Sequence, residues 1–191
     1  MNSNKPTQIH QEIFTDGSKS SNKVLAAAVF LKSILSFSTN LLTMSSIFTA
    51  ELTAIKIALS NIHKKNTNSI SSLPTLKSAL QSIIHKNLSN PITEDILYNH
   101  HYNIIFCWIP SHDGIKGNTK ADKLAHVTPI SSTQVIPIPP SDALHTLWNY
   151  IRTKWQATWD SFPKDNKLYK IFPELQHFPP LHHSYSRKNK L

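Results

Sequence analysis

The residues of this chain that could do chemistry sit where strands hand over to turns or helices. In the stretch Phe106 to Ala125 an apolar, β-prone start passes through a polar loop with two glycines and ends in a helical pattern. A strand therefore delivers His112 on a loop and Asp122 on the helix behind it, both near one sheet edge. Ile13-Phe14-Thr15 reads as a second, short strand, ending on Asp16-Gly17-Ser18, a turn signal in which Gly17 can take positive φ. Glu51 falls in the first turn of a helical pattern that opens at Ile47, with Thr49 placed to cap it. Carboxylate oxygens are the ligands that hard divalent cations take, and imidazole is the usual proton carrier near neutral pH. Gly17, Gly114 and Gly117 are the only glycines, and all three stand beside these groups, which predicts positions selected for backbone freedom. Each acid also has a plainer reading, above all Glu51, which the helix dipole favours in a first turn whatever its role.

The elements that must position these residues follow from periodicity. Val24 to Leu31 reads as a buried strand and Ile34 to Leu42 as its antiparallel partner. Leu52, Ile55, Ala58 or Leu59, and Ile62 recur at helical spacing. Asn68 to Leu73 is a strand broken at Pro74, Leu76 to Ile84 a helix, Pro91 to Asn99 a short helix, and Asn103 to Trp108 the strand entering the His112 loop. Cys107, the only cysteine, falls in that strand and is expected in the core; it excludes a disulfide framework and any multi-cysteine zinc site. Pro129, Pro137, Pro139 and Pro140 mark 128–141 as a linker. Residues 142–191 form a tail whose Leu144, Leu147, Trp148, Ile151, Trp155 and Trp159 make an amphipathic helix, expected to pack on this protein or a neighbour, ahead of an irregular basic end.

Composition narrows the class. A length of 191 residues suits one domain, here 12–127, plus an appendage, with 1–11 as a disordered lead-in. The formal charge of +9 favours a polyanionic partner. The polar N-terminus carries no signal segment and no apolar run approaches a bilayer's thickness, so a soluble intracellular protein of the nucleus or cytoplasm, not secreted and without a membrane partner, is expected.

Taken together, W-I-P-S-H-x-G-I-x-G-N-x-x-A-D-x-L-A over residues 108–125, preceded by F-T-D-G-S-K from Phe14 and T-A-E-L-x-A from Thr49, resembles the type-1 ribonuclease H domain found at the end of retrotransposon reverse transcriptases. The resemblance implies an α/β, ribonuclease H-like fold: a five-stranded mixed sheet, its first three strands antiparallel, with helices on both faces. A polymerase normally precedes such a domain, so the chain is expected to be a fragment lacking that partner, and monomeric.

The implied activity is endonucleolytic hydrolysis of the RNA strand of an RNA–DNA hybrid. Two Mg2+ ions, or Mn2+, would activate the water and offset charge on the leaving oxygen, held by clustered carboxylates. By the resemblance Asp16, Glu51 and Asp122 are three of four metal ligands, and His112 assists proton transfer or product release. The fourth position departs from the pattern. Relatives read T-D-S-K-S-A-L-Q-S-I where this chain has Pro74-Thr75-Leu76-Lys77-Ser78-Ala79-Leu80-Gln81-Ser82-Ile83, so Thr75 replaces the expected aspartate. Asp113, beside His112, is the spare carboxylate in that loop. Gly17, Ser18, Lys116 and Asn118 match positions near the substrate, which the family reads through 2′-hydroxyls and backbone shape. Two rivals stand beside this reading: a catalytically dead nucleic-acid-binding or scaffold remnant of a retroelement, and another nuclease or transposase of the same broad fold. The latter has no reason to carry the W-I-P-S-H run.

Overall fold

The structure is a computed structural model describing residues 10–32, 35–62, 69–74, 77–99, 104–110, 114–127 and 137–174. The chain divides into two compact units, Met1–Ala143 and Leu144–Leu191. The first is built on five strands: β1 His10–Lys19, β2 Val24–Phe30, β3 Leu35–Leu41, β4 Ser69–Pro74 and β5 Ile104–Phe106, in sheet order β3-β2-β1-β4-β5. β1, β2 and β3 form the antiparallel meander expected from the sequence, while β4 lies parallel to β1 and β5 parallel to β4. Helices α1 Ile47–Ser60, α2 Lys77–Ile84, α3 Pro91–Asn99 and α4 Lys116–Val127 complete the unit.

Strand alternation distributes the helices over both faces. Ile13, Ala28 and Phe30 join Leu52, Ile55, Ala58 and Leu59 of α1, Ala79 and Ile83 of α2, and Ile92 and Ile96 of α3 in one apolar core. Phe14 and Val29, one residue out of phase, pack instead with Ala121 of α4. Every residue of β2 is buried, as a strand covered on both sides must be.

Several expectations are corrected. β1 starts at His10, inside the presumed lead-in, and runs through Asp16 to Lys19, each residue from Ile13 onward opposite one of β2. The Asp16-Gly17-Ser18 turn is therefore overridden by sheet pairing, and Gly17 does not adopt positive φ. Ser46, not Thr49, caps α1: its hydroxyl accepts the Thr49 N–H at 3.1 Å. Glu51 consequently sits past the first turn, so the dipole no longer accounts for it. Cys107 lies beyond the three-residue β5 and is exposed rather than core. Gly117 is helical, and the helix α5, Pro140–Asp160, begins inside the expected linker.

In the second unit α5 is followed by a short helix, α6 Lys167–Ile171, where the sequence predicted irregular chain. Trp159 stacks on Tyr169 and donates its indole N–H to Phe172 O at 2.8 Å. Elsewhere in the stripe Leu144, Leu147, Trp148 and Trp155 are exposed. No helix among the described residues is long and apolar enough to cross a membrane.

Candidate active site

The site is organised on the last four residues of β1. β4 accompanies β1 only as far as the pair Thr15↔Pro74, whereas β2 continues alongside to Lys19↔Val24. Asp16, Gly17 and Ser18 thus stand at the carboxyl end of β1, beyond its last described pair with β4, and open α/β sheets bind ligands outside the carboxyl ends of their strands.

Two helices are brought onto this segment by the absence of side chains. A Cβ on Gly17 would lie 2.7 Å from the Glu51 backbone N and 3.0 Å from Ala50 C and Cβ, so only glycine lets α1 come this close. A Cβ on Gly117 would lie 2.2 Å from the Phe14 ring, the corresponding contact for α4. Alternation from Phe14 places Asp16 and Ser18 on the α4 side of the sheet, and Gly17 meets α1 on the other. Asp16 is buried at 7% exposure and Glu51 at 3%.

Asp122 comes from α4 and is linked to β1 through a residue that the sequence did not single out. His126, one turn further on, places Nε2 3.4 Å from Asp122 Oδ1 and hydrogen-bonds the Ser18 hydroxyl through Nδ1 at 3.2 Å. The i,i+4 spacing of Asp122 and His126 is visible in the sequence once α4 is accepted. Nothing in the sequence points to the Ser18 partner.

The other predicted residues divide. Lys116 opens α4. Asn118 lies in α4 at 3% exposure, and its Oδ1 has no hydrogen-bond partner among the described residues. Gly114 takes φ +71° at the foot of α4. His112, Asp113 and Thr75 lie outside the described residues.

Tested against a divalent cation, the donors are right in kind: Asp16, Glu51 and Asp122 offer the hard oxygens that Mg2+ and Mn2+ take. They are not gathered, since no three His, Cys, Asp or Glu side chains among the described residues stand close enough to hold a metal ion. Glu51 is carried by α1 and Asp122 by α4, which pack on opposite faces of the sheet.

A family model for RNase H matches residues 8–128, well over half the chain and all five strands together with α1 to α4. The chain belongs to the RNase H family. No curated protein matches it. The RNase H match stops before α5, so the second unit lies wholly outside it. The family is one of ribonucleases, hydrolases that act on RNA–DNA hybrids with divalent metals. In this RNase H domain the acids of β1, α1 and α4 are carried by the three elements that the two glycine contacts lock together.

Proposed function

We propose that the chain is a retrotransposon-type RNase H that cuts the RNA strand of an RNA–DNA hybrid internally, at a rate lowered by Thr75. The observation that carries this reading is the arrival of the Glu51 and Asp122 helices at the Asp16–Ser18 end of β1. Asp16, Glu51 and Asp122 would hold Mg2+, which when bound supplies a nucleophilic water and compensates charge on the leaving oxygen. His126 steadies Asp122 by its ring nitrogen and ties α4 to Ser18. His112 would carry protons from its loop. Lys116, Lys120 and Lys123 make α4 basic toward phosphates.

Threonine supplies no anion where a fourth carboxylate is expected. Loss of a group that merely supports a ligand costs roughly 10- to 100-fold, and loss of the ligand itself is expected to exceed that. Magnesium-dependent cleavage of an end-labelled hybrid tests the reading: slow internal cuts in the RNA strand are expected, accelerated by Thr75→Asp. A chain that cuts neither before nor after that substitution overturns it.

The neutral Thr75 at the fourth ligand position motivates one rival, a nucleic-acid-binding remnant without catalysis. That rival requires hybrid binding at low salt with no cleavage in either version of the chain, the outcome just named.

A further inference from the structure

Asp142 is a carboxylate at 6% exposure in the first turn of α5, beyond the end of the RNase H match. One of its oxygens, Oδ2, accepts both the backbone N–H of Ser46 at 2.8 Å and the Thr49 hydroxyl at 2.6 Å. Ser46 is the N-cap of α1 and Thr49 the third helical residue, whose N–H the Ser46 hydroxyl takes. In a capping box the third residue is Glu or Gln and reaches back to the cap's own N–H. Thr49 has no acceptor long enough to do so. Asp142, some ninety residues away in sequence, completes the box from outside, with its charge on the favourable end of the helix dipole. Lys19 at the end of β1 ties the same corner by donating its Nζ–H to Ser45 O at 2.6 Å.

We propose that Asp142 is a positioning residue for Glu51, acting through the first turn of α1; the proposal rests on the reading of Glu51 as a metal ligand. Glu51 follows Thr49 by two residues, and its backbone N already stands where a Gly17 Cβ would intrude. A first turn that loosens at Ser46 to Thr49 therefore moves Glu51 against the strand that carries Asp16. The chain past the RNase H match is then part of the machinery that sets the site.

The test compares the full-length chain with Asp142→Ala and Asp142→Asn by site-resolved amide hydrogen exchange and by Mg2+ titration, at a temperature where all are folded. Asp142→Ala is expected to speed exchange at Ala50 to Leu52 at least tenfold while the Val24–Phe30 amides hold, and to weaken Mg2+ binding severalfold. Asp142→Asn, which keeps an acceptor oxygen, is expected to recover most of both. Unchanged exchange in α1 overturns the proposal, as does an equal rise in α1 and β2, which marks a merely structural role. Should Asp142→Ala fail to fold, Thr49→Val removes one of the two bonds and is expected to act in the same direction with smaller size; its silence overturns the proposal. A wild-type chain that takes up no Mg2+ sinks the metal reading of Glu51, while the exchange comparison still decides whether Asp142 sets that turn.

Discussion

Replacing Gly17 by alanine tests the contact that brings α1 to β1. The added Cβ would meet Glu51 N at 2.7 Å and Ala50 C at 3.0 Å, both backbone atoms, and ordinary contact begins near 3.4 Å. No rotamer change can relieve such a clash, so α1 must retreat by several tenths of an ångström. Behind it Leu52, Ile55 and Leu59 are packed against Ile83, Ile92 and Ile96, which leaves little room. Overpacking of this kind costs about 1–3 kcal/mol, and alanine returns roughly 0.4–1 kcal/mol by restricting the unfolded chain. A net loss of about 1.3 kcal/mol corresponds to a fall in Tm of roughly 3–5 °C for a chain of this size. Urea unfolding followed by far-UV circular dichroism measures it, with Gly114→Ala as the control. At Gly114 nothing lies within 4 Å and only φ +71° opposes a side chain, so that loss is about 1–2 kcal/mol and Gly114→Asn recovers part of it. A Gly17→Ala protein as stable as wild type would refute the close-approach argument and with it the account of how Glu51 is placed.

Three further substitutions probe separate parts. Ile55→Ala empties a fully buried position in the larger core and is expected to cost about 2–5 kcal/mol; a loss under 1 kcal/mol in urea titration contradicts the packing. His126→Ala breaks two contacts of a largely exposed ring, so stability should change by less than about 1 kcal/mol, and a drop near 3 kcal/mol would make the Ser18 link structural. Trp159→Phe removes the indole bond to Phe172 O, worth about 1 kcal/mol; amide exchange should rise in α6, and unchanged exchange there would deny that this bond holds the short helix in place.

The periodic elements were legible in the sequence because their signals are local. α3 runs from Pro91 to Asn99 as read, and α1 opens at Ile47 as read. What the sequence hid is what distant chain decides. Asp16-Gly17-Ser18 carries a turn's composition, but each of these residues gains a partner in β2, and pairing outweighs the local preference. Thr49 has a capping side chain, yet Ser46 is available three residues earlier and uses it. Cys107 looked internal because Asn103 to Trp108 was read as one strand, of which only Ile104–Phe106 is paired with β4 among the described residues. The bonds of Asp142 to α1 and of His126 to Ser18 had no signal, since those partners lie far away in the chain.

Glycine gives the clearest case of a right position with the wrong reason. All three glycines were expected to supply backbone freedom, and only Gly114 does. Gly17 and Gly117 instead supply the lack of a side chain, one on each face of β1, so that α1 and α4 close on the same strand. An alanine at either place would push its helix outward, and the acid carried by that helix with it. The geometry of the acids is thus set less by the acids than by two missing methyl groups. Local arguments from φ cannot reveal this, because a close approach is a property of two elements rather than one. The pairing of β1 is also uneven: among the described residues β4 accompanies it only to Thr15↔Pro74, while β2 goes on to Lys19↔Val24. An ion shared by Asp16, Glu51 and Asp122, as proposed, would be approached by α1 from one face of the sheet and by α4 from the other, at the carboxyl end of β1.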